Sequence, residues 1–391
     1  MSWTSRERVI AAIEHREGDR VPIDITPLYD FYINLKKYLG MDVQEEVKPN
    51  SAMEVVPHPA VLKKLGVDLI SVKLGSPHKI KTDQSNSANK KDEWGLEYCK
   101  VSQPGGGHYM EVVEHPFAEA TLDDLKDYPW PIPDLPGRGE GAEKSARQFY
   151  ENTDLGIIGR FGGPVLELAG YLMGLEKFMM RSVTDPEFVG ALLDKITEIQ
   201  IALDRIGLEA TAKYIQIFKV SGEDLGMQTG PLYSPRMFKE IFLPRLKRRW
   251  QAARKYLDDA NPSVKIMLHS CGSVRKFIPD LVAAGIQILD PVQPHAAGMD
   301  SFELKRDFGR DLTFHGGVDI QQVLPFGTTR EVEDEVRLRL RAFAPGGGYI
   351  LSPSHNIQAD TPPANIVSMC QAAQCFGQFP IEHLDTKKEI N

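Results

Sequence analysis

The sequence predicts an α/β fold, a parallel (β/α)8 TIM barrel that forms a single domain over residues 1–391 and has a lid-like insertion after its second strand. Short β-branched or apolar runs bounded by turn residues occur eight times, and capped amphipathic helical patterns separate most of them. Eight strand–helix alternations are the pattern of this barrel. The eight runs are Val21–Thr26, Val67–Leu74, Gly156–Phe161, Tyr214–Val220, Val264–Ser270, Ile286–Val292, Leu312–Gly316 and Tyr349–Pro353.

Helix start signals lie between the runs. The N-terminal stretch Met1–Asp19 predicts an amphipathic helix. Asp185-Pro186-Glu187 places a capping residue before a proline at the first helical position, and Ser234-Pro235 and Thr361-Pro362 repeat the signal. Thr329, two residues before a glutamate, starts a charged helix that stops at a run of three glycines near residue 346.

A doubly wound sheet is the competing fold, because three glycine-rich stretches resemble nucleotide-binding loops. They are Gly105–Gly107, Gly137–Gly141 and Gly346–Gly348. None of them lies between a strand and a helix in the order that such a loop requires. We therefore interpret them as turns or linkers.

One connection is unusually long. No barrel element is required between Gly75 and about Asn152, where Trp94–Tyr98 and Tyr109–Val113 predict two strands around the turn Gly105–Gly107. The prolines that follow stiffen an extended run, at positions 129, 131, 133 and 136. Long insertions after a barrel strand commonly cover the mouth. We interpret residues 75–152 as a lid over the active site rather than a separate domain.

Composition limits the classes of partner. Lys and Arg number 46 against 54 Asp and Glu, and this net charge of −8 argues against nucleic acid. No apolar run reaches the ~18 residues that a membrane helix needs, and the N-terminus lacks the features of a signal peptide. Four scattered cysteines are too few for a disulfide framework, so reduced thiols and a cytoplasmic location are expected. They are Cys99, Cys271, Cys370 and Cys375.

Chemically active residues concentrate where the predicted strands end, which is where barrels of this kind place their active sites. Three of the ten histidines and one of the four cysteines lie there. The candidates are His269 and Cys271 after the fifth run, Asp290 in the sixth, His315 in the seventh, His355 after the eighth, and Glu223 and Asp224 after the fourth.

His269 and Cys271 are two residues apart, so their side chains point the same way from a strand. His355 can reach the same mouth from another side. One thiolate and two imidazoles form a three-ligand zinc set that leaves the fourth position for water or substrate, as catalytic zinc sites do. The alternative is that this His and Cys are packed core residues.

The other candidates also have plain structural readings. Glu223 and Asp224 are either a paired acid/base site or a solvated turn, and His315 is either catalytic or a hydrogen-bonded core histidine. Asp319 either caps the following helix or contacts substrate. Asp290 is a further candidate for catalysis.

Two cysteines on the last predicted helix and a basic run on another helix can each be explained without a catalytic role. Cys370 and Cys375 lie five residues apart on the last helix and are expected to be core thiols. A basic run on a long helix is either a solvated face or a docking patch for an acidic partner. It comprises Arg245, Lys247, Arg248, Arg249, Arg254 and Lys255.

With these residues, the chain resembles the uroporphyrinogen decarboxylase superfamily over nearly its whole length. The stretches that carry the resemblance are Arg6–Pro22, Asp224–Phe238, Tyr349–His355 and Asp360–Asn365. The resemblance implies a (β/α)8 barrel, in agreement with the strand count.

Two activities of the superfamily have to be separated. The true decarboxylases of the superfamily carry an arginine-rich segment after the first strand. This segment binds the carboxylates of the substrate. Here Asp24–Tyr32 contains no arginine, and its acids would repel such a substrate. The cobalamin-dependent methyltransferases carry His-x-Cys at the end of strand five, as in His269-Ser270-Cys271. The resemblance therefore implies Zn²⁺ on His269, Cys271 and His355, and a corrinoid (cobalamin) carried by a partner protein.

The superfamily's third ligand is often Cys, whereas the matching position here is His355. One thiolate and two imidazoles leave zinc with a formal charge of +1, which makes it the stronger Lewis acid. This favours methyl transfer from a methyl ether (O-demethylation) to the cobalt of a corrinoid protein. Transfer from a methylcorrinoid to a thiol or a folate-type nitrogen is the near alternative. A decarboxylase of a porphyrinogen-like acid and a binding protein without turnover are the other hypotheses.

Overall fold

The computed structural model describes residues 3–42, 53–75, 77, 90–102 and 107–381. Its strands are β1 (Leu69–Lys73), β2 (Lys90–Lys91), β3 (Glu97–Ser102), β4 (His108–Glu114), β5 (Gly156–Arg160), β6 (Ile217–Val220), β7 (Gly226–Met227), β8 (Gly230–Pro231), β9 (Lys265–His269), β10 (Ile288–Val292), β11 (Thr313–Val318) and β12 (Tyr349–Pro353). Its helices are α1 (Ser5–Ile13), α2 (Tyr29–Tyr38), α3 (Pro59–Leu65), α4 (Leu122–Asp127), α5 (Arg138–Asn152), α6 (Leu166–Met173), α7 (Leu175–Thr184), α8 (Pro186–Thr211), α9 (Pro235–Met237), α10 (Leu243–Ala260), α11 (Ile278–Ala283), α12 (Ser301–Phe308), α13 (Val323–Phe326), α14 (Thr329–Phe343) and α15 (Pro363–Phe376).

Seven parallel strands form one sheet in the order β1-β5-β6-β9-β10-β11-β12. Six of them lie in predicted runs, and β11 extends two residues beyond its run. The parallel register pairs, for example, Asp290 with His269. The chain passes through helices between successive strands, and each strand lies beside its predecessor in the sheet. The predicted α/β class with a parallel sheet is therefore confirmed.

The first predicted strand, Val21–Thr26, differs from the expectation because it forms only isolated bridges. The Asp24 N–H donates to the Leu351 carbonyl (2.9 Å), and the Asp68 N–H donates to the Ile23 carbonyl (2.8 Å). These bonds join the segment to both edges of the seven-stranded sheet, which is therefore curled. Pro22 and Pro27 lack N–H donors, and this shortens the ladder on both sides.

Helix α1 closes the end of the sheet at which the strands begin. Thr4 and Glu7 form a capping box at its start, and it ends at Ile13, earlier than the predicted Asp19. Its apolar face packs on a layer of strand side chains. The cluster comprises Val9, Ala12, Ile13, Leu69, Ile158, Ile217, Met267, Ile288 and Ile350. This end of the sheet is therefore filled with apolar side chains.

The next layer of inward-facing side chains is charged or polar. Strand side chains alternate, so residues two positions later point the same way. Two positions after Ile158, Ile217, Met267 and Ile288 come Arg160, Lys219, His269 and Asp290. In these four strands the inward face changes from apolar to charged over two residues, which places the candidate functional groups at the carboxyl ends.

The insertion contains an antiparallel ribbon of β2, β3 and β4. The predicted strand Trp94–Tyr98 is displaced to β3, and Gly105 and Gly106 of the predicted turn lie outside the described residues. The His108 N–H donates to Asp30 Oδ2 (3.1 Å), and the Phe117 N–H donates to the Leu172 carbonyl (2.8 Å). Asp30 follows the first predicted run and Leu172 follows β5, so the insertion contacts the carboxyl-end side of the sheet.

The expectation that no barrel element lies between residues 75 and 152 is wrong for α5. This helix packs on α8 and against β1 and β5, and so occupies the helical layer between two successive strands. A Cβ atom on Gly75 would collide with the Gly137 carbonyl, so glycine permits the close approach of strand and helix. The insertion proper therefore ends near residue 137.

Most predicted helix starts are confirmed. Asp185 accepts from the Phe188 N–H at the start of α8, and Ser234 accepts from the Met237 N–H at the start of α9. Helix α14 begins at Thr329, with Thr328 as its cap. Among the described residues, no helix combines the length and apolar character that crossing a membrane requires.

Candidate metal centre

The structure brings His269, Cys271 and His355 together, with potential ligand atoms that all lie within 4.8 Å of one another. His269 Nε2 lies 3.5 Å from Cys271 Sγ. Two ligands bound to a tetrahedral zinc at ~2.1 and ~2.3 Å are about 3.6 Å apart. The spacing and the chemistry of these donors therefore fit zinc, and three protein ligands leave one position open.

Carboxylates around Cys271 and the neutral form of His355 favour a cation between these side chains. Burial, with help from the carboxylates of Asp224 and Asp290, raises the pKa of the Cys271 thiol above its usual value. Burial, followed by repulsion from His269, lowers the pKa of His355. Without a cation the site thus holds a thiol and a neutral imidazole. Metal binding then displaces the thiol proton, as zinc–thiolate chemistry requires.

Asp290 orients His269 from behind. His269 Nδ1 lies 2.8 Å from Asp290 Oδ2. We assign the Nδ1 proton to this contact, which leaves the Nε2 lone pair directed towards the metal set. Burial opposes ionisation of Asp290, but Lys219 and His315 hold its pKa well below the usual value. Asp290, predicted to be catalytic, thus contacts the candidate ligand His269.

His315 lies in the same buried network. Its Nε2 is 3.0 Å from Asp24 Oδ2, and its Nδ1 is 2.6 Å from Asp290 Oδ1. Burial disfavours its charged form, but the two carboxylates raise its pKa to about 9. His315 is therefore a cation at neutral pH. It links residues 21–26, which contain Asp24, to β10, which contains Asp290, by electrostatic attraction.

The two neighbouring acids predicted after the fourth strand have different partners. Glu223 accepts hydrogen bonds from the Val165 and Leu166 N–H groups (2.8 and 2.7 Å), so it caps α6. Burial raises the pKa of Glu223 to about 8. Asp224 Oδ1 accepts from the Cys271 N–H (3.1 Å). Glu223 thus holds a helix, whereas Asp224 borders the metal set.

Asp319 accepts from the N–H groups of Gln321, Gln322 and Val323, which agrees with the capping alternative. The basic helix face is largely ion-paired. Arg249 is buried against Asp204 (2.6 Å). Arg249 also lies 3.9 Å from Glu223. Elsewhere on this helix, Arg245 and Arg248 pair with Asp194, and Arg254 pairs with Asp258. The expectation of two core thiols is confirmed for Cys370, which is buried, and is wrong for Cys375, which is exposed because it lies on a different face of the helix.

A second set of charged residues at this mouth is absent from the predictions. Glu54 Oε2 lies 3.1 Å from Lys73 Nζ and 3.0 Å from Arg160 Nη1, and its Oε1 accepts from Asn356 Nδ2 (3.2 Å). Lys219 Nζ lies 2.5 Å from Asp290 Oδ2. For Arg160 and Lys219 the available signal was a basic residue two positions after an inward apolar residue. Lys73 follows Ser71 instead, and Glu54 lies outside every predicted strand.

Gly222 keeps space open beside the metal set. A Cβ atom there would lie 3.1 Å from both Glu167 Oε2 and His269 Cδ2. The Tyr171 hydroxyl donates to Glu167 Oε1 (2.5 Å), and burial raises the pKa of Glu167. An acidic side chain of α6 therefore stands close to a candidate ligand.

The pKa of His315 predicts a pH dependence of stability. Because its folded-state pKa is about 9 against 6.5 for the free group, its stabilising contribution is complete below pH 6.5 and is lost as the pH rises through 9. The contribution is up to about 3 kcal/mol, since one pKa unit corresponds to ~1.4 kcal/mol. We expect the unfolding free energy of the parent to be higher than that of His315→Gln. This difference should be largest below pH 6.5 and should shrink as the pH rises through 9. Urea unfolding across this pH range measures the difference, and a difference that is independent of pH would contradict the prediction.

A sequence profile described as "Uroporphyrinogen decarboxylase (URO-D)" matches residues 99–376. The chain is 25% identical over 275 residues to uroporphyrinogen decarboxylase 2, chloroplastic, of Arabidopsis thaliana. This alignment covers 67% of this chain and 62% of that protein. It is 27% identical over 220 residues to the methylcobamide:CoM methyltransferase MtaA of Methanosarcina barkeri, which covers 56% and 58%.

These alignments span about three fifths of the length of the curated relatives. A solved structure of a methyltransferase from Methanosarcina mazei has a TM-score of 0.66 and 20% identity, and the superposition covers 96% of this chain and 99% of that one. At this identity the superposition establishes a shared fold.

Proposed function

The chain belongs to the uroporphyrinogen decarboxylase family, and from this premise we propose that it is a zinc-dependent methyltransferase that works with a corrinoid protein. The observation that carries the proposal is the convergence of His269, Cys271 and His355 at the carboxyl ends of the strands. A thiol that is half-buried among carboxylates has no evident use in decarboxylation, but it is a natural zinc ligand.

The proposed reaction transfers a methyl group from a small methyl ether to cobalt. The carbon–oxygen bond breaks, the cobalt(I) of the corrinoid supplies the electron pair of the new carbon–cobalt bond, and the released oxygen takes up a proton. Zinc, when bound, supplies Lewis acidity towards the ether oxygen. Two imidazoles and one thiolate favour this role over activation of a thiol acceptor, which is the alternative direction of transfer.

The residues of the chain hold the ligands in place. Asp290 fixes the ring of His269, and Asp224 accepts from the backbone of Cys271. Glu223 anchors the start of α6, the helix that carries Glu167 towards the mouth. Such fixed partners keep a metal set in one geometry through turnover.

We also propose that residues 20–28 complete an eight-stranded barrel and that the insertion from 75 to about 137 acts as a lid. The bonds from His108 to Asp30 and from Phe117 to Leu172 support this position. A corrinoid is large, so the mouth has to admit either it or the small substrate in turn. A cytoplasmic location completes the proposal.

Methyl transfer with the purified, zinc-loaded protein tests the function. A panel of methyl ethers is incubated with a cobalt(I) corrinoid, and formation of methylcobalt is followed by its absorbance. We expect turnover with one class of ether and a zinc content near stoichiometric. A protein that binds no zinc under zinc-replete conditions, or that decarboxylates a porphyrinogen with no need of metal, would contradict the proposal.

A further inference from the structure

Three basic side chains crowd the carboxyl ends of three adjacent strands. Lys73 ends β1, Arg160 ends β5, and these two residues are direct register partners in the sheet. Lys219 projects from β6, the next strand. Like charges at facing positions of neighbouring strands repel each other, so this arrangement is unfavourable unless anions balance it.

The described anions balance it only in part, because Asp24, which attracts Arg160, is shared with the cationic His315. Glu54 serves both Lys73 and Arg160, at 3.1 and 3.0 Å. Asp290 is engaged by Lys219, His269 and His315 together. Among the described residues, Glu54 is the one hydrogen-bond partner of the Lys73 ammonium, which carries three donors. The Lys73 side chain is 29% exposed and therefore accessible to a ligand.

The protonation of Lys73 reflects this crowding. Burial, followed by repulsion from Arg160 and Lys219, lowers its pKa to about 8, although Glu54 acts in the opposite direction. Charged donors fixed in a partly buried position bind an incoming anion without having to reorganise.

The basic pair is connected to the metal set. Glu54 Oε1 accepts from Asn356 Nδ2 at 3.2 Å, and Asn356 directly follows His355. The repulsion between Lys219 and His355 likewise places the basic layer within electrostatic reach of the ligands. A small molecule with one end at the metal can thus present its other end to Lys73 and Arg160.

We propose that Lys73 and Arg160 bind a carboxylate on the small molecule that reacts at the metal centre. This inference rests on the proposed function and narrows it, because the methyl donor is then a methoxylated organic acid. The Arg160 fork is engaged by both oxygens of Glu54, so Arg160 contributes its positive charge, whereas the Lys73 ammonium has donors beyond the one that Glu54 accepts and can bond a carboxylate oxygen directly. An uncharged isostere of the same shape lacks this interaction.

Calorimetric titration of the zinc-loaded protein, with no corrinoid present, tests the binding step. The probes are two isosteric pairs, methoxyacetate with methoxyacetamide and 3-methoxybenzoate with 3-methoxybenzamide. We expect at least one carboxylate to bind roughly tenfold more tightly than its amide. Lys73→Met should weaken carboxylate binding by roughly ten- to hundredfold and leave amide binding unchanged.

Lys305→Met is the matched control. Lys305 is also a largely buried lysine whose pKa burial lowers to about 8, but it donates to the Gly347 carbonyl near α1, at the opposite end of the sheet. Its loss should not alter carboxylate binding. Melting temperatures of both variants establish that each one is folded.

Proton uptake provides a second readout. Lys73 is about half protonated at pH 8, so a bound carboxylate should draw a fraction of a proton from the buffer, visible as a dependence of the binding heat on the buffer. Lys73→Arg should keep most of the binding but lose this uptake, since arginine is always charged. This variant retains the cation if Lys73→Met does not fold.

Equal affinity for carboxylate and amide, or no binding of either carboxylate, would overturn the inference. So would a carboxylate preference that persists undiminished in Lys73→Met, because Lys73 would then contribute nothing to it. Carboxylate binding that requires Lys73 without any methyl transfer to cobalt would instead overturn the proposed function and leave this site standing.

Discussion

The Cys271→Ala protein is expected to bind zinc more weakly by roughly two orders of magnitude or more, and to lose methyl transfer, while it remains folded. Cys271 supplies the thiolate of the set, and no further His, Cys, Asp or Glu of the described residues joins the three-residue cluster to replace it. Stability should change little, because the site lies at the mouth and the apolar layer beneath α1 is untouched.

Competition with a chromophoric chelator measures the zinc affinity, and cobalt absorbance measures turnover. His355→Ala should behave like Cys271→Ala, since it also removes one of three ligands. Cys375→Ala is the matched control, because it removes an exposed thiol of α15. Retention of full activity by either ligand variant would refute the metal assignment.

Asp290→Ala is expected to have the second-largest effect, on stability and zinc affinity together. Asp290 is the described carboxylate partner of Lys219, and it lies against His269 and His315 as well. The Lys219 side chain is only 11% exposed, so the substitution leaves a buried cation unpaired at about 3–5 kcal/mol. Zinc affinity should fall by roughly ten- to hundredfold, because His269 loses the partner that orients it.

Asp290→Asn separates the two effects. The amide preserves the shape and can still accept a hydrogen bond, but it lacks the charge that stabilises Lys219 and His315. Urea unfolding and chelator competition are measured for both variants beside Asp258→Asn, which disrupts an exposed pair and should change the unfolding free energy by ~1 kcal/mol or less. Zinc affinity that survives in Asp290→Ala would show that His269 needs no support from this carboxylate.

Local sequence patterns were sufficient for seven of the eight predicted strands, for most helix starts and for the convergence of His269, Cys271 and His355. Each run from Val67–Leu74 onwards contains a strand, because burial on both faces requires a continuous apolar stretch that is visible in one dimension. His269 and Cys271 share a direction because strand side chains alternate. His355 joins them because the carboxyl ends of parallel strands meet on one side of the sheet.

Local patterns misplaced residues 21–26 and 138–152. Prolines remove the hydrogen-bond donors that would have made the first segment a regular strand, and this effect depends on which neighbours the segment meets. Helix α5 was assigned to the insertion because its polar, glycine-containing start resembles a linker. Its role in the helical layer follows from packing on α8.

The sequence by itself determined the α/β class, the order of the strands and the identity of the three candidate ligands, because each depends on short-range periodicity. Only the tertiary structure decided which charged groups share a partner. Glu54 meets Lys73, Arg160 and Asn356 from three distant parts of the chain, and Glu223 and Asp224 separate although they are adjacent. Electrostatic partnership depends on distance in space and on burial, and neither can be read from separation along the chain.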